Sequence, residues 1–93
     1  MPTQRAKVEV YAIKGCPFCI ATKDLLRDLG VRFEEHDLSG RADRREVTAA
    51  ILPGHSSVPL VLIDGEPIGG NDALQAMHAR GELVPALFGA DEG

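Results

Sequence analysis

Ninety-three residues allow one domain. Hydrophobic residues make up 44% and charged residues 26%, an ordinary globular balance that excludes a disordered tail, a collagen-like repeat and a coiled coil. The net charge of −4 lacks the basic footprint of nucleic-acid binding, and no apolar run approaches the ~18 residues of a membrane span, so neither nucleic acid nor membrane is an expected partner.

Met1 to Lys7 is polar, without the apolar stretch of a secretory leader. Lys7 to Ala12 alternates apolar and polar residues and is rich in β-branched ones, the pattern of a strand. Ile13-Lys14-Gly15 is a short loop. Pro17 suits the first position of a helix, where its missing N–H leaves nothing unsatisfied, so Cys16 becomes the N-cap. The helix runs to about Leu29, with Phe18, Ala21, Leu25 and Leu29 on one apolar face and Gly30 just past its end. Val31 to Asp37 reads as a second strand, Val31 and Phe33 facing one way. After a Ser39-Gly40 turn, a helix is predicted over about Ala42 to Leu52. Val47, Ala50 and Ile51 point inward there, Arg41, Arg44 and Arg45 face solvent, and Pro53-Gly54 ends the helix.

Leu60 to Ile63 is a continuous apolar run, as a strand covered on both faces would be. Asp64-Gly65 is a two-residue hairpin turn, so Glu66 to Gly69 returns antiparallel, and Pro67 makes that return an edge strand. Asp72-Ala73-Leu74-Gln75 has capping-box spacing, which starts a helix near Asp72 with that residue as the cap and ends it at Gly81. Leu83 to Phe88 forms one more helical segment, and Ala90 to Gly93 a frayed tail. The first β-α-β unit crosses over right-handed into a parallel pair, and the hairpin adds antiparallel strands. The expected fold class is α/β: a four-stranded mixed sheet flanked by helices on both faces. A single domain spans 1–93, with its core over about 7–88 and flexible ends at 1–6 and 89–93.

The two cysteines, Cys16 and Cys19, close too small a loop to stabilise the fold as a disulfide. Zinc normally needs two further ligands at close spacing, and the candidates His36, His55 and His78 are scattered singly. A redox pair is the better reading. The thiolate is the reactive form of cysteine. Cys16 sits where a helix N-terminus presents its free N–H groups and partial positive charge, with Lys14 two residues away; both favour the thiolate. Cys19 lies one turn further in, less exposed and less favoured. Cys16 is therefore the attacking thiol and Cys19 the resolving one. On the residues alone, Pro59 reads as a strand-entry proline. Gly69-Gly70-Asn71-Asp72 reads as a turn into a capped helix end, a place that also binds carboxylates.

Together these features resemble the dithiol glutaredoxins, over nearly the whole chain from Val8 to Leu87. Cys16-Pro17-Phe18-Cys19 is similar to the family's C-P-[YF]-C, Ser57-Val58-Pro59 to its T-V-P with a cis proline, and Gly69-Gly70-Asn71-Asp72 to its G-G-x-[DS]. The resemblance implies a thioredoxin-like fold and glutathione as the reducing co-substrate, with no tightly bound cofactor and no metal. It assigns Phe18, Val58 and Pro59 to the glutathione pocket, the Val58 main chain pairing with the cysteinyl part like an added strand. Gly70, Asn71 and Asp72 take the γ-glutamyl end. The family's basic residue three places before the first cysteine is Ile13 here. Lys14 and, from the second helix, Arg45 are then the candidates for the glycyl carboxylate, with His55 the polar residue ahead of Ser57-Val58-Pro59. The implied activity is reduction of protein–glutathione mixed disulfides and some protein disulfides by a cytoplasmic monomer, served through glutathione by glutathione reductase. Two rivals are a glutathione-independent redoxin feeding ribonucleotide reductase and an iron–sulfur cluster carrier. The Gly-Gly-Asn-Asp turn argues against the first; Pro17 and the second thiol of Cys19 argue against the second.

Overall fold

The computed structural model describes residues 4–89. Strand β1 (Val8–Ala12) leads into helix α1 (Pro17–Asp28), then β2 (Glu34–Asp37), α2 (Arg44–Ile51), β3 (Leu60–Ile63), β4 (Glu66–Gly69), α3 (Asn71–Ala79) and α4 (Leu83–Phe88). The sheet order is β2-β1-β3-β4. β1 and β2 run parallel, while the β1–β3 and β3–β4 pairs are antiparallel. This is the expected mixed sheet with helices on both faces. No helix among the described residues is long and apolar enough to cross a membrane.

The register explains the core. Val8 and Val10 pair with Ile63 and Val61, so these four side chains share one face. With Ala12 they meet Leu26 of α1, Leu74 of α3, and Leu83 and Leu87 of α4 in one apolar cluster. Leu60 and Leu62 alternate to the other face and are buried there too, as the continuous apolar run requires. The β3–β4 hairpin turns at Asp64 (φ 53°) and Gly65 (φ 79°), the paired positive dihedrals of a type I′ turn. Asp64 also ties the turn to β1: its Oδ1 accepts from the Lys7 N–H at 2.8 Å, and its own N–H donates to the Lys7 carbonyl at 2.8 Å. β4 is the edge strand, where Pro67 forfeits no ladder bond.

Four expectations need correction. The second strand starts at Glu34, not Val31, because residues 29–32 are spent closing α1. Gly30 (φ 73°) donates to the Arg27 carbonyl at 3.0 Å and Val31 to that of Leu26 at 2.9 Å, a left-handed glycine C-cap that carries Val31 into the core beside Leu26. The side-chain amide of Gln4 then replaces a strand ladder at Arg32, accepting from its N–H and donating to its carbonyl, both at 2.7 Å. The second helix is also shorter than 42–52, and its inward residue is Thr48 rather than Ala50, which is exposed. The buried Thr48 hydroxyl is satisfied within its own helix, donating to the Arg45 carbonyl at 3.1 Å.

The third correction concerns α3, which begins at Asn71 with Gly70 as its N-cap. Asp72 is the second helical residue and makes no capping bond; the amide of Gln75, the box partner, instead donates to Oδ1 of Asn71 at 3.2 Å. Finally, the packed core reaches back to Ala6, which is 5% exposed, instead of starting at Lys7. The Arg5 and Ala6 N–H groups both donate to the Leu87 carbonyl, fastening this segment to α4. The expected flexible ends at 1–3 and 90–93 lie outside the described residues.

Candidate active site

Cys16 is the N-cap of α1, as its position before Pro17 predicts. Its backbone is extended (φ −91°, ψ 114°), Pro17 opens the helix, and its Sγ accepts a hydrogen bond from the Cys19 N–H at 3.2 Å. The sulfur thus does the work of the usual capping oxygen. One of the helix's unsatisfied donors points at the Cys16 sulfur, at the positive end of the helix dipole. Cys16 is half-buried and Cys19 fully buried, both with free thiols. Burial, and then the hydrogen bond with Cys16, push the Cys19 thiol up to about 11 from the ordinary 9.0. The nearby Lys23 lowers it only slightly, its ammonium being held by Glu35 at 2.9 Å. The two thiols thus differ in exposure, and burial disfavours the charged form of Cys19.

Beside this helix end lies a cavity of about 470 Å³, lined by Phe18, His55, Ser57, Val58, Pro59, Gly70, Asn71, Asp72 and Ala73. Three separate stretches of chain build it. α1 contributes Phe18, which is 61% exposed. The segment before β3 contributes Val58 and Pro59, joined by a cis peptide bond. The start of α3 contributes Gly70 to Ala73. A Cβ on Gly70 would lie 3.3 Å from the Pro59 carbonyl oxygen and 3.4 Å from His55 Cε1, so the bare glycine lets these two backbones meet. Gly69 (φ 129°) supplies the bend that delivers the chain there.

Of the residues assigned to the pocket, Phe18, Val58, Pro59, Gly70, Asn71 and Asp72 are brought together. Lys14 and Arg45 are not: both are exposed and neither lines the cavity. The backbone N–H of Lys14 is bonded to Ser39 Oγ at 2.8 Å, which fixes the loop on the other side of Cys16. His55, Ser57 and Ala73 line the cavity without having been assigned to it. His55 Nε2 lies 3.2 Å from the Pro59 carbonyl oxygen, bracing the cis-proline turn from within. Its position four residues before Pro59 was the available signal. Among the described residues the one cluster of three potential metal ligands is Glu9, Glu34 and His36, on β1 and β2 and not with the cysteines. There His36 Nε2 meets Glu9 Oε1 at 3.0 Å, and its ring stacks on Tyr11.

A mixed sheet, a cysteine pair opening the first helix and a cis-proline turn lining the cavity beside it define a dithiol protein of the thioredoxin-like fold. The glutaredoxin family profile matches residues 8–68. Over 82 residues the chain is 43% identical to glutaredoxin 3 of Escherichia coli, spanning 88% of this chain and 98% of that one. Over 82 residues it is 42% identical to a glutaredoxin of Solanum lycopersicum, spanning 86% and 76%. A crystal structure of a buckwheat glutaredoxin–glutathione complex superposes with a TM-score of 0.78 at 34% identity, covering 88% of this chain and 76% of that one. The chain belongs to the glutaredoxin family. With both cysteines in place it is a glutathione-dependent thiol–disulfide oxidoreductase.

Proposed function

We propose that Cys16 is the nucleophile, that Cys19 resolves, and that the cavity beside them seats glutathione. The observation that carries this reading is the course of the cavity. It starts at Phe18, two residues from the half-buried sulfur, passes the main chain of Val58, and ends at the N-terminal turn of α3. A volume of about 470 Å³ is within the range of small-molecule sites. A tripeptide with a carboxylate at each end and one ammonium group fits these walls chemically. The Val58 main chain pairs with the cysteinyl backbone as an added strand would. Free N–H groups at the start of α3 take the γ-glutamyl carboxylate. The exposed Asp72 carboxylate takes the ammonium.

In the first step the Cys16 thiolate attacks the glutathionyl sulfur of a mixed disulfide. The client–glutathione S–S bond breaks, the client leaves as a thiolate that takes a proton from water, and a Cys16–glutathione disulfide forms. A second glutathione thiolate then attacks the glutathionyl sulfur and regenerates Cys16, producing oxidised glutathione. In the alternative second step, Cys19 loses its proton and attacks the Cys16 sulfur, releasing glutathione and leaving a Cys16–Cys19 disulfide. The raised Cys19 thiol favours the external route for mixed disulfides and reserves the internal one for clients that need two electrons from one protein. Glutathione reductase, with NADPH, closes the cycle by reducing the oxidised glutathione. A cytoplasmic monomer fits this cycle, because it draws on a reducing glutathione pool.

A coupled assay with glutathione, glutathione reductase and a small glutathionylated disulfide tests the reading; NADPH consumption independent of the protein would sink it. Asp72→Asn probes the γ-glutamyl end. Asp72 is no cap, so the substitution removes only a first-turn charge, costing about 0.3–1 kcal/mol of stability. If the carboxylate holds the ammonium, a contact of roughly 1–2 kcal/mol is lost and the apparent KM for glutathione rises several-fold to about thirtyfold. An unchanged KM in a folded Asp72→Asn protein removes Asp72 from the binding site.

A further inference from the structure

Thr22 is fully buried in the interior of α1, which packs directly against α3. A threonine inside a helix commonly bonds a carbonyl one turn back, as Thr48 does in α2. Thr22 instead donates across the seam, from Oγ1 to Oδ1 of Asn71 at 2.9 Å. Gln75 Nε2 donates to the same oxygen at 3.2 Å. One amide oxygen therefore collects a donor from each helix, which fixes the orientation of the Asn71 side chain. Among the described residues this is the one side-chain hydrogen bond joining α1 to α3.

The two ends of that bond matter. α1 carries Cys16 as its N-cap, six residues before Thr22 and so about 9 Å along the helix. Asn71 is the first residue of α3 and lines the cavity between Gly70 and Asp72. The bond thus links the helix that presents the sulfur to the turn that closes the far end of the cavity. It also accounts for the early start of α3: Asn71 is held by Thr22 and Gln75, so Gln75 is not available to Asp72 as a capping partner.

We infer that Thr22 is a positioning residue for glutathione: its buried hydroxyl, through Asn71, sets the Gly70–Asn71–Asp72 turn at its working distance from Cys16. The inference rests on the reading of that turn as the γ-glutamyl site. Thr22 does not line the cavity and its hydroxyl is committed to Asn71, so its removal affects how glutathione is seated and leaves the sulfur's own reactivity alone.

Thr22→Val keeps the shape and deletes the donor. The expected result is a rise of about three- to tenfold in apparent KM for glutathione, with kcat within about twofold of wild type. The rate of Cys16 alkylation by iodoacetamide stays unchanged. Thr22→Ser restores the hydroxyl and returns KM to the wild-type value. If valine does not give a folded protein, Thr22→Ala carries the same expectation without placing a methyl group against Asn71. An unchanged KM in the folded donor-free variant overturns the inference, as does a loss confined to kcat. Equal rises with serine and valine also overturn it, since packing and not the hydroxyl would then be responsible. Asp72→Asn assayed in parallel separates the two levels. If it raises KM while Thr22→Val does not, the site stands and Thr22 has no part in it. If neither raises KM, the turn is not the γ-glutamyl site and the inference falls with it.

Discussion

Replacing Cys16 with serine is expected to abolish reduction of glutathionylated substrates, with a loss of at least about 10³-fold, because a serine hydroxyl has no accessible anion near neutral pH. Cys19→Ser is expected to retain most of that activity and to lose reduction of client disulfides that needs two thiols. The contrast follows from position. Cys16 is half-buried at the N-cap, with the Cys19 N–H donating to its sulfur at the start of the helix. Cys19 lies one turn inside and is fully buried. Steady-state rates on a small glutathionylated disulfide and on a protein disulfide, for both variants, measure the division of labour. Equal losses on the glutathionylated substrate would refute it.

The buried thiol should be almost inert to alkylation at neutral pH in the folded, reduced protein. A thiol pushed up to about 11 is ionised at pH 7 to only about one part in 10⁴, against a few per cent for a free cysteine. Labelling of Cys19 by iodoacetamide should therefore be at least about 10²-fold slower than that of a cysteine peptide, as resolved by mass spectrometry of each site. The same shift gives a pH-dependent stability. The folded state holds the Cys19 proton more tightly than the unfolded state does, so the contribution is fully present below pH 9 and is lost as pH rises to about 11. The total is on the order of 2 kcal/mol. Reduced wild type should lose that much more unfolding free energy across this window than Cys19→Ala, which lacks the titration. Parallel curves would show that burial does not hold the thiol protonated.

The active-site motif was legible because each of its signals is local. Pro17 belongs at the first position of a helix, the residue before it becomes the cap, and three residues of helix bring the Cys19 N–H back to the Cys16 sulfur. The Asp64-Gly65 turn and the buried run Leu60 to Ile63 are local in the same sense, since dihedral preference and apolar continuity act within a few residues. Those signals, with the spacing between the three motifs, determined the α/β order, the mixed sheet and the place of Cys16 at the N-cap of α1.

Tertiary structure decided the rest, wherever a residue had two locally acceptable partners and a distant one won. Asp72 and Gln75 have capping-box spacing, yet the buried Thr22 hydroxyl, 49 residues away from Asn71 in sequence, recruits Asn71 and Gln75 into another network, and Gly70 becomes the cap. Val31 looks like strand and is the end of a helix cap, because Gln4, 28 residues earlier in the chain, satisfies Arg32. The family resemblance and their charge nominated Lys14 and Arg45 for the cavity, but charge carries no direction, and the fold leaves both outside while bringing in His55. Cys19 has the same side chain as Cys16; its burial first, and then its hydrogen bond with Cys16, make it a reluctant acid. The sequence determined which groups can do chemistry, because residue type and short-range spacing carry that information. Which groups meet, and how much water each keeps, was decided by packing between segments far apart in the chain, where the burial of one hydroxyl or one thiol outweighs local preference.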